Sequence, residues 1–262
     1  MLEFPDFKQK YPNLYLAAHE LQKIKEILVN ENGQVVGYIE KKGDKYGYRT
    51  PDKQWDEGLE YDDFIGPDPQ GNIITVINGK KFFINDDFPY PKMEFDQIDG
   101  PDSQGNYVAH QKKKQYFIRK DGTLLTLNLS DSDTQESWDR IEKIDKNQNY
   151  ILDQGESSYL VNAEGNFISN AYLDISTIDD CGYYQAITPE GGVILLDKTG
   201  KEILSQAYGK IRLLSGGEYE LSLNGKIGLY TIEKDALQLE CIYDEIIPLT
   251  GEVYQVRKDG TC

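Results

Sequence analysis

No stretch of the 262-residue chain approaches the ~20 consecutive apolar residues that a bilayer-crossing helix needs. Histidine is nearly missing: His19 and His110 stand alone, and neither has the nucleophile and orienting partner that hydrolysis would demand. Cysteine is scarce and odd in number, and the spacing of Cys181, Cys241 and Cys262 matches no metal site, so they read as reduced thiols, two buried and one terminal. Gly-rich phosphate loops, dinucleotide fingerprints and Cys/His clusters are lacking. The chain is therefore expected to be no enzyme and to carry no catalytic residue, cofactor or metal. The opening Met1-Leu2-Glu3-Phe4-Pro5-Asp6 lacks the charged and then apolar pattern of a secretory leader. With the reduced thiols, it sets a cytoplasmic expectation.

Positive charge is also in short supply. Against 45 acidic residues the chain has 28 Lys and Arg, a formal net charge of −17. A surface of that sign repels phosphate backbones and anionic headgroups, so neither nucleic acid nor membrane is an expected partner. It attracts a basic protein and speeds the encounter by long-range steering.

What the chain has in abundance is self-similarity. An aromatic or aliphatic residue, usually an Asp, and then an apolar residue recur as Tyr61-Asp62-Asp63-Phe64, Phe95-Asp96-Gln97-Ile98, Trp138-Asp139-Arg140-Ile141, Leu173-Asp174-Ile175, Tyr208-Gly209-Lys210-Ile211 and Tyr243-Asp244-Glu245-Ile246. The starts lie 34, 43, 35, 35 and 35 residues apart. Inside each unit a turn leads to an alternating segment such as Gly217-Glu218-Tyr219-Glu220-Leu221, and a second turn leads to another such as Ile227-Gly228-Leu229-Tyr230. A weaker fourth segment follows, as in Glu202-Ile203-Leu204. Period-two patterning rich in Tyr, Val and Ile, punctuated by pairs such as Asp121-Gly122, predicts strands and hairpins. Four short strands in about 35 residues cannot bury both faces alone, so neighbouring units must stack.

Asn224-Gly225-Lys226-Ile227-Gly228-Leu229-Tyr230, leading to Ile242-Tyr243-Asp244-Glu245-Ile246, resembles the WG-repeat (KWG-repeat) family. That family's pattern runs Gly-Lys-Trp-Gly-Leu-Ile-Asp and then Tyr-Asp-x-Ile. Gly43-Asp44-Lys45-Tyr46-Gly47-Tyr48 and Asn78-Gly79-Lys80-Lys81-Phe82 echo it, although the Trp-Gly pair itself is absent. The resemblance spans residues 21 to 262 and implies a bacterial repeat protein used for binding, often near toxin and immunity systems, with no shared catalytic residues.

The expected fold is all-β: tandem four-stranded repeats forming a closed six-bladed β-propeller, with an open solenoid as the alternative. Units fall at 61–94, 95–137, 138–172, 173–207 and 208–242, and residues 243–262 complete a sixth with residues 33–60. Closure of that kind removes an open edge. Residues 1–32 form an extension in which Leu14, Ala17, Ala18, Leu21, Ile24 and Leu28 share a helical face, predicting a capping helix over Pro12 to Leu28. Leu21 to Ile27 also fits a degenerate first strand. The longest unit carries a polar insertion, Asn128 to Ser137, which must be exposed.

The candidate partner-binding residues are the acidic ones of the recurring block and the insertion: Asp62, Asp63, Asp96, Asp131, Asp133, Glu136, Asp139, Asp174, Asp244 and Glu245. Paired carboxylates also serve glycosidases, but a true acid and base would break the repeat rather than recur with it. The competing structural reading is that each recurring Asp bonds backbone amides where a first strand begins. The near-identical loops at Gly66 to Asn72 and Gly100 to Asn106 offer too few carboxylates for calcium and read as β-turns. Most Tyr occupy strand positions that demand core residues, which weakens a carbohydrate-stacking role. The leading expectation is a protein-binding scaffold, most concretely an immunity-type inhibitor of a toxin. A carbohydrate- or envelope-binding protein is the alternative, and a carboxylate glycosidase is third.

Overall fold

A computed structural model describes residues 24–29, 33–43, 45–49, 61–85, 93–128, 134–142, 145–178, 182–214, 217–249 and 253–260. All regular structure among them is β, and none of it is helix long and apolar enough to cross a membrane. The chain divides into two compact units, Met1–Lys113 with Phe117–Leu124, and Lys114–Tyr116 with Leu125–Cys262.

In the first unit, β1 (Ile24–Val29), β2 (Val35–Lys42) and β3 (Lys45–Arg49) form one antiparallel sheet. A second sheet holds β4 (Asp63–Ile65), β5 (Ile73–Ile77) and β6 (Lys80–Ile84). Next β7 (Gln97–Asp99) pairs with β8 (Tyr107–Gln111), and β9 (Lys114–Ile118) follows. In the second unit, β10 (Leu127–Asn128) and β11 (Thr134–Gln135) make a small hairpin at the base of the acidic insertion. Three sheets come after it: β12 (Arg140–Glu142), β13 (Tyr150–Gln154) and β14 (Ser157–Val161); β15 (Asp174–Thr177), β16 (Tyr184–Ile187) and β17 (Val193–Leu196); and β18 (Lys210–Leu213), β19 (Glu218–Leu223), β20 (Lys226–Thr231) and β21 (Ala236–Tyr243). Strands β22 (Glu245–Pro248) and β23 (Tyr254–Arg257) pair with each other.

Two expectations change. Ile24–Val29 is a strand, so the predicted helix does not extend through Leu28; its earlier part lies outside the described residues. A six-residue segment with apolar residues at 24, 27 and 28 fits either period, and pairing Ile27 with Tyr38 on β2 decides for strand. The first sheet thus takes its first two strands from residues 24–42. In the expected shared unit those places belonged to residues 243–262.

Stacking is explicit in the second unit. All four residues of β17 are buried, because alternate side chains point into two different cores. Ile194 and Leu196 pack with Ile151 and Leu160 of the preceding sheet, together with Ile175, Tyr184 and Ala186. Val193 and Leu195 face the other way, onto Ile211, Tyr219, Leu221 and Tyr230 of the following sheet. Each fully buried apolar side chain of this size contributes about 1.5–3 kcal/mol, which makes a sheet covered on both sides the stable element of the fold. In the first unit, Ile39 of β2 and Ile73 of β5 share a core with Tyr46, Phe64 and Ile84 in the same way.

Candidate functional site

The recurring aromatic–Asp pair marks where the chain leaves one sheet and enters the next. Tyr61 exchanges both backbone hydrogen bonds with Tyr46 on the third strand of the preceding sheet, each 2.8 Å. The very next amide, Asp62 N, turns to Val76 O on the second strand of the following sheet at 2.7 Å. Phe95 and Asp96 repeat this with Lys81 and His110, and Trp138 and Asp139 with Gln115 and Asp153. The pair is a pivot: one residue belongs to each sheet.

The Asp side chain then ties the two sheets together. One oxygen accepts from a lysine at the start of the preceding third strand: Lys45 for Asp62, Lys80 for Asp96 at 2.5 Å, Lys114 for Asp139 at 2.6 Å and Lys226 for Asp244 at 2.6 Å. The other oxygen accepts the backbone N–H of a hairpin turn in the following sheet, from Asn78 to Asp62 at 2.6 Å, Lys112 to Asp96 at 2.7 Å and Gly155 to Asp139 at 2.8 Å. The bond to a backbone amide is thus present. The amide, however, belongs to a turn 16 residues downstream and not to the strand start.

The lysines were not anticipated, yet the sequence holds a signal for them. In the two units where Ser157 and Gly192 replace the lysine, Leu173 and Gly209 replace the aspartate. Leu173 N bonds Ile187 O and Gly209 N bonds Ser222 O, each at 2.8 Å, which places both residues at the pivot. This corrects the reading of the fourth block. The aromatic is Tyr172, bridged to Ser158, so Asp174 lies one position beyond the pivot, exposed on β15. The true intervals around it are 34 residues (138 to 172) and 36 (172 to 208).

The described candidate residues serve different local roles. Asp62, Asp96, Asp139 and Asp244 are latches, one per junction. Exposed Asp63 accepts its neighbour's amide, Phe64 N, at 2.9 Å, and Glu245 pairs with Arg257 at 3.1 Å. Glu136 is half-buried beside Trp138, and Asp131 and Asp133 lie outside the described residues. His110 Nε2 meets Asp99 Oδ2 at 3.1 Å.

The lysine bonds hold the four latch carboxyls below their ordinary value of 3.8, and the turn amides add to the effect. Their stabilising contribution is complete above pH 3.8 and is lost as pH falls through the lower folded values. For Lys80 and Lys226 the aspartate bonds raise the pKa above 10.5, so the latch weakens again as pH rises beyond that point. Carboxyl-carbon NMR titration should find these four aspartates below 3.8; ordinary values would show that the latches do not form in solution.

A second recurring device lies in the loops after the first strands. Asp68 Oδ1 accepts the amides of Gln70 and Asn72 at 2.9 and 2.8 Å. Asp102 and Asp145 fold the same five-residue turn. The second Asp68 oxygen accepts Tyr107 Oη from the next sheet at 2.6 Å, and Asn72 Nδ2 reaches Lys120 O at 2.9 Å. In the second unit Tyr184 Oη donates to Asp145 and accepts from Asn149 at 2.9 Å, and Asn149 Nδ2 reaches Lys198 O at 2.8 Å. These oxygens are committed to turn amides and tyrosines, consistent with turns and not calcium loops. Burial, and then the Asp145 bond, pushes the Tyr184 phenol up to about 12. Its contribution is full below the ordinary value of 10 and fades as pH rises through 12. Tyr184→Phe removes the hydroxyl that bonds both Asp145 and Asn149 and is expected to cost about 1–3 kcal/mol in urea denaturation.

No family model and no curated protein matches the chain. Among solved structures it is similar to "KlHsv2 with loop 6CD replaced by a Gly-Ser linker" at 8% identity, over 85% of this chain and 84% of that one, with a TM-score of 0.28. BamB from Moraxella catarrhalis matches at 9% identity over 89% and 76%, with a TM-score of 0.28. A eukaryotic initiation factor matches at 9% identity over 89% and 65%, with a TM-score of 0.31.

Proposed function

We propose that this chain is an acidic protein-binding scaffold for a basic protein partner, most concretely an immunity-type inhibitor that occludes a bacterial toxin. The observation that carries the reading is where the acidic excess remains. Three latches match one lysine with one aspartate, and Lys226 meets both Asp244 and Asp259, so the latches neutralise almost none of the net charge of −17. Stacked sheets locked at their junctions hold such a surface rigid, which limits the entropy lost on binding. The resemblance to WG repeats supports the same class. Carbohydrate stacking gains little, since Tyr61, Tyr107, Tyr172, Tyr184 and Tyr219 are all buried. Co-expression with the product of the adjacent gene, followed by pull-down in low and high salt, is expected to give a complex that weakens as salt rises. Absence of any salt-sensitive complex would overturn the reading.

The scaffold in this proposal closes into a β-propeller, with β22–β23 as its last sheet and an open solenoid as the competing arrangement. The similarity of successive junctions supports a constant rotation from sheet to sheet. Deleting residues 243–262 distinguishes the two. Closure predicts faster amide exchange in β1–β3 as well as in β18–β21, whereas an open array loses protection only in β18–β21.

A further inference from the structure

Three of the described sheets keep their outer edge short. Beside the third strands, the fourth segments make single-residue bridges: Ile118 with Leu124, Val161 with Phe167, and Leu196 with Glu202. Strand β21 departs from this pattern. It runs eight residues, Ala236–Tyr243, bulged at two places against β20, and among the described residues β20 is the one strand paired with it. An edge strand points alternate N–H and C=O groups away from its sheet, and proteins usually blunt such edges with short length, Lys or Pro. The sequence Ala-Leu-Gln-Leu-Glu-Cys-Ile-Tyr contains neither Lys nor Pro. Leu239 and Cys241 are half-buried, Cys241 against the core, whereas Gln238, Glu240 and Ile242 are exposed. Leu237 is exposed too, at 42%, and Ile242 at 37%. Along this edge Gln238 Nε2 folds back onto Ala236 O at 3.3 Å.

We propose that the β21 edge is a strand-addition site for an extended, basic segment of a protein partner. The incoming backbone supplies the hydrogen bonds that the edge lacks, its apolar residues cover Leu237 and Ile242, and its Lys or Arg residues answer Glu240. Charge selects this occupant over a second copy of the chain, which would bring another −17 to the same edge. The inference rests on the acidic-scaffold reading and adds where and how that scaffold grips.

The test uses the full chain and a fluorescent octapeptide of alternating lysine and valine, with alternating glutamate and valine as its counterpart. The lysine peptide is expected to slow amide exchange at Gln238 and Glu240 by about tenfold and to bind about tenfold tighter than the glutamate peptide, an advantage that shrinks with salt. Glu240→Lys, an exposed substitution that leaves packing intact, is expected to weaken the preference several-fold. Gln238→Pro removes an edge donor and is expected to abolish binding by either peptide. Protection confined to other strands, amides at 236–242 that already exchange slowly in the free protein, or self-association that protects them would each overturn the site. Salt-sensitive capture of the adjacent-gene product that ignores both substitutions would sink the edge and leave the scaffold reading standing. Absence of salt-sensitive binding to peptide and protein alike would sink both.

Discussion

Trp138→Ala is expected to destabilise the second unit by about 3–5 kcal/mol, the range for truncating a buried Trp. Trp138 has no exposed surface and sits between Tyr159 and Phe167, with ring centroids at 5.9 and 5.8 Å. It is also a pivot residue, held to Gln115 by two backbone bonds of 2.8 and 2.9 Å, so the cavity opens at a junction where two sheets must stay in register. Its Nε1–H is buried without a hydrogen-bond partner. Trp138→Phe removes that unsatisfied donor, whose burial costs about 1–3 kcal/mol. The phenylalanine variant is therefore expected to lose less than half of what alanine loses. Urea denaturation followed by circular dichroism measures both, and equal losses would show that packing at this junction does not decide stability.

Gly200→Ala is the second large effect. Gly200 has φ of +79° in the turn Asp197 to Lys201, where a Cβ costs about 1–2 kcal/mol. A Cβ there would also lie 2.0 Å from Ile168 O, a backbone atom of the preceding sheet. Relieving that overlap costs typically 1–3 kcal/mol more, so the total is expected at about 3 kcal/mol or above. Thr199→Ala in the same turn loses an exposed hydroxyl bond to Asp197 and is expected to cost far less. Amide exchange should rise in β14 and β17 for Gly200→Ala alone. Similar behaviour of the two variants would mean that the turn does not seat against Ile168.

Gly228 makes a related point inside a strand. A Cβ on it would meet Leu239 O at 2.6 Å and Cys241 N at 2.9 Å, at the bulge where β21 gains residues relative to β20. This glycine is therefore required by the path of the fourth strand. The long edge proposed as a docking site carries that same bulge at residues 240–242.

Latches and turn clamps together explain why an acidic repeat protein keeps so many fixed aspartates. Asp62, Asp96, Asp139 and Asp244 are reserved for joining sheets, and Asp68, Asp102 and Asp145 for shaping loops. Asp63, Asp174 and Glu240 instead side with solvent.

By itself the sequence determined the local structure of this protein: short strands, their turns and their recurrence. Alternation and positive-φ turn residues are properties of a few neighbouring positions, so they survive in print without a fold around them. Only the tertiary structure decided that Tyr172 and not Leu173 occupies the pivot, that Ile24–Val29 is a strand, and that Asp62, Asp96, Asp139 and Asp244 each face a lysine 16 to 25 residues before them. Those facts depend on which residue lies opposite which across two sheets, and a one-residue shift that barely alters a sequence pattern turns a side chain to the other face of its strand.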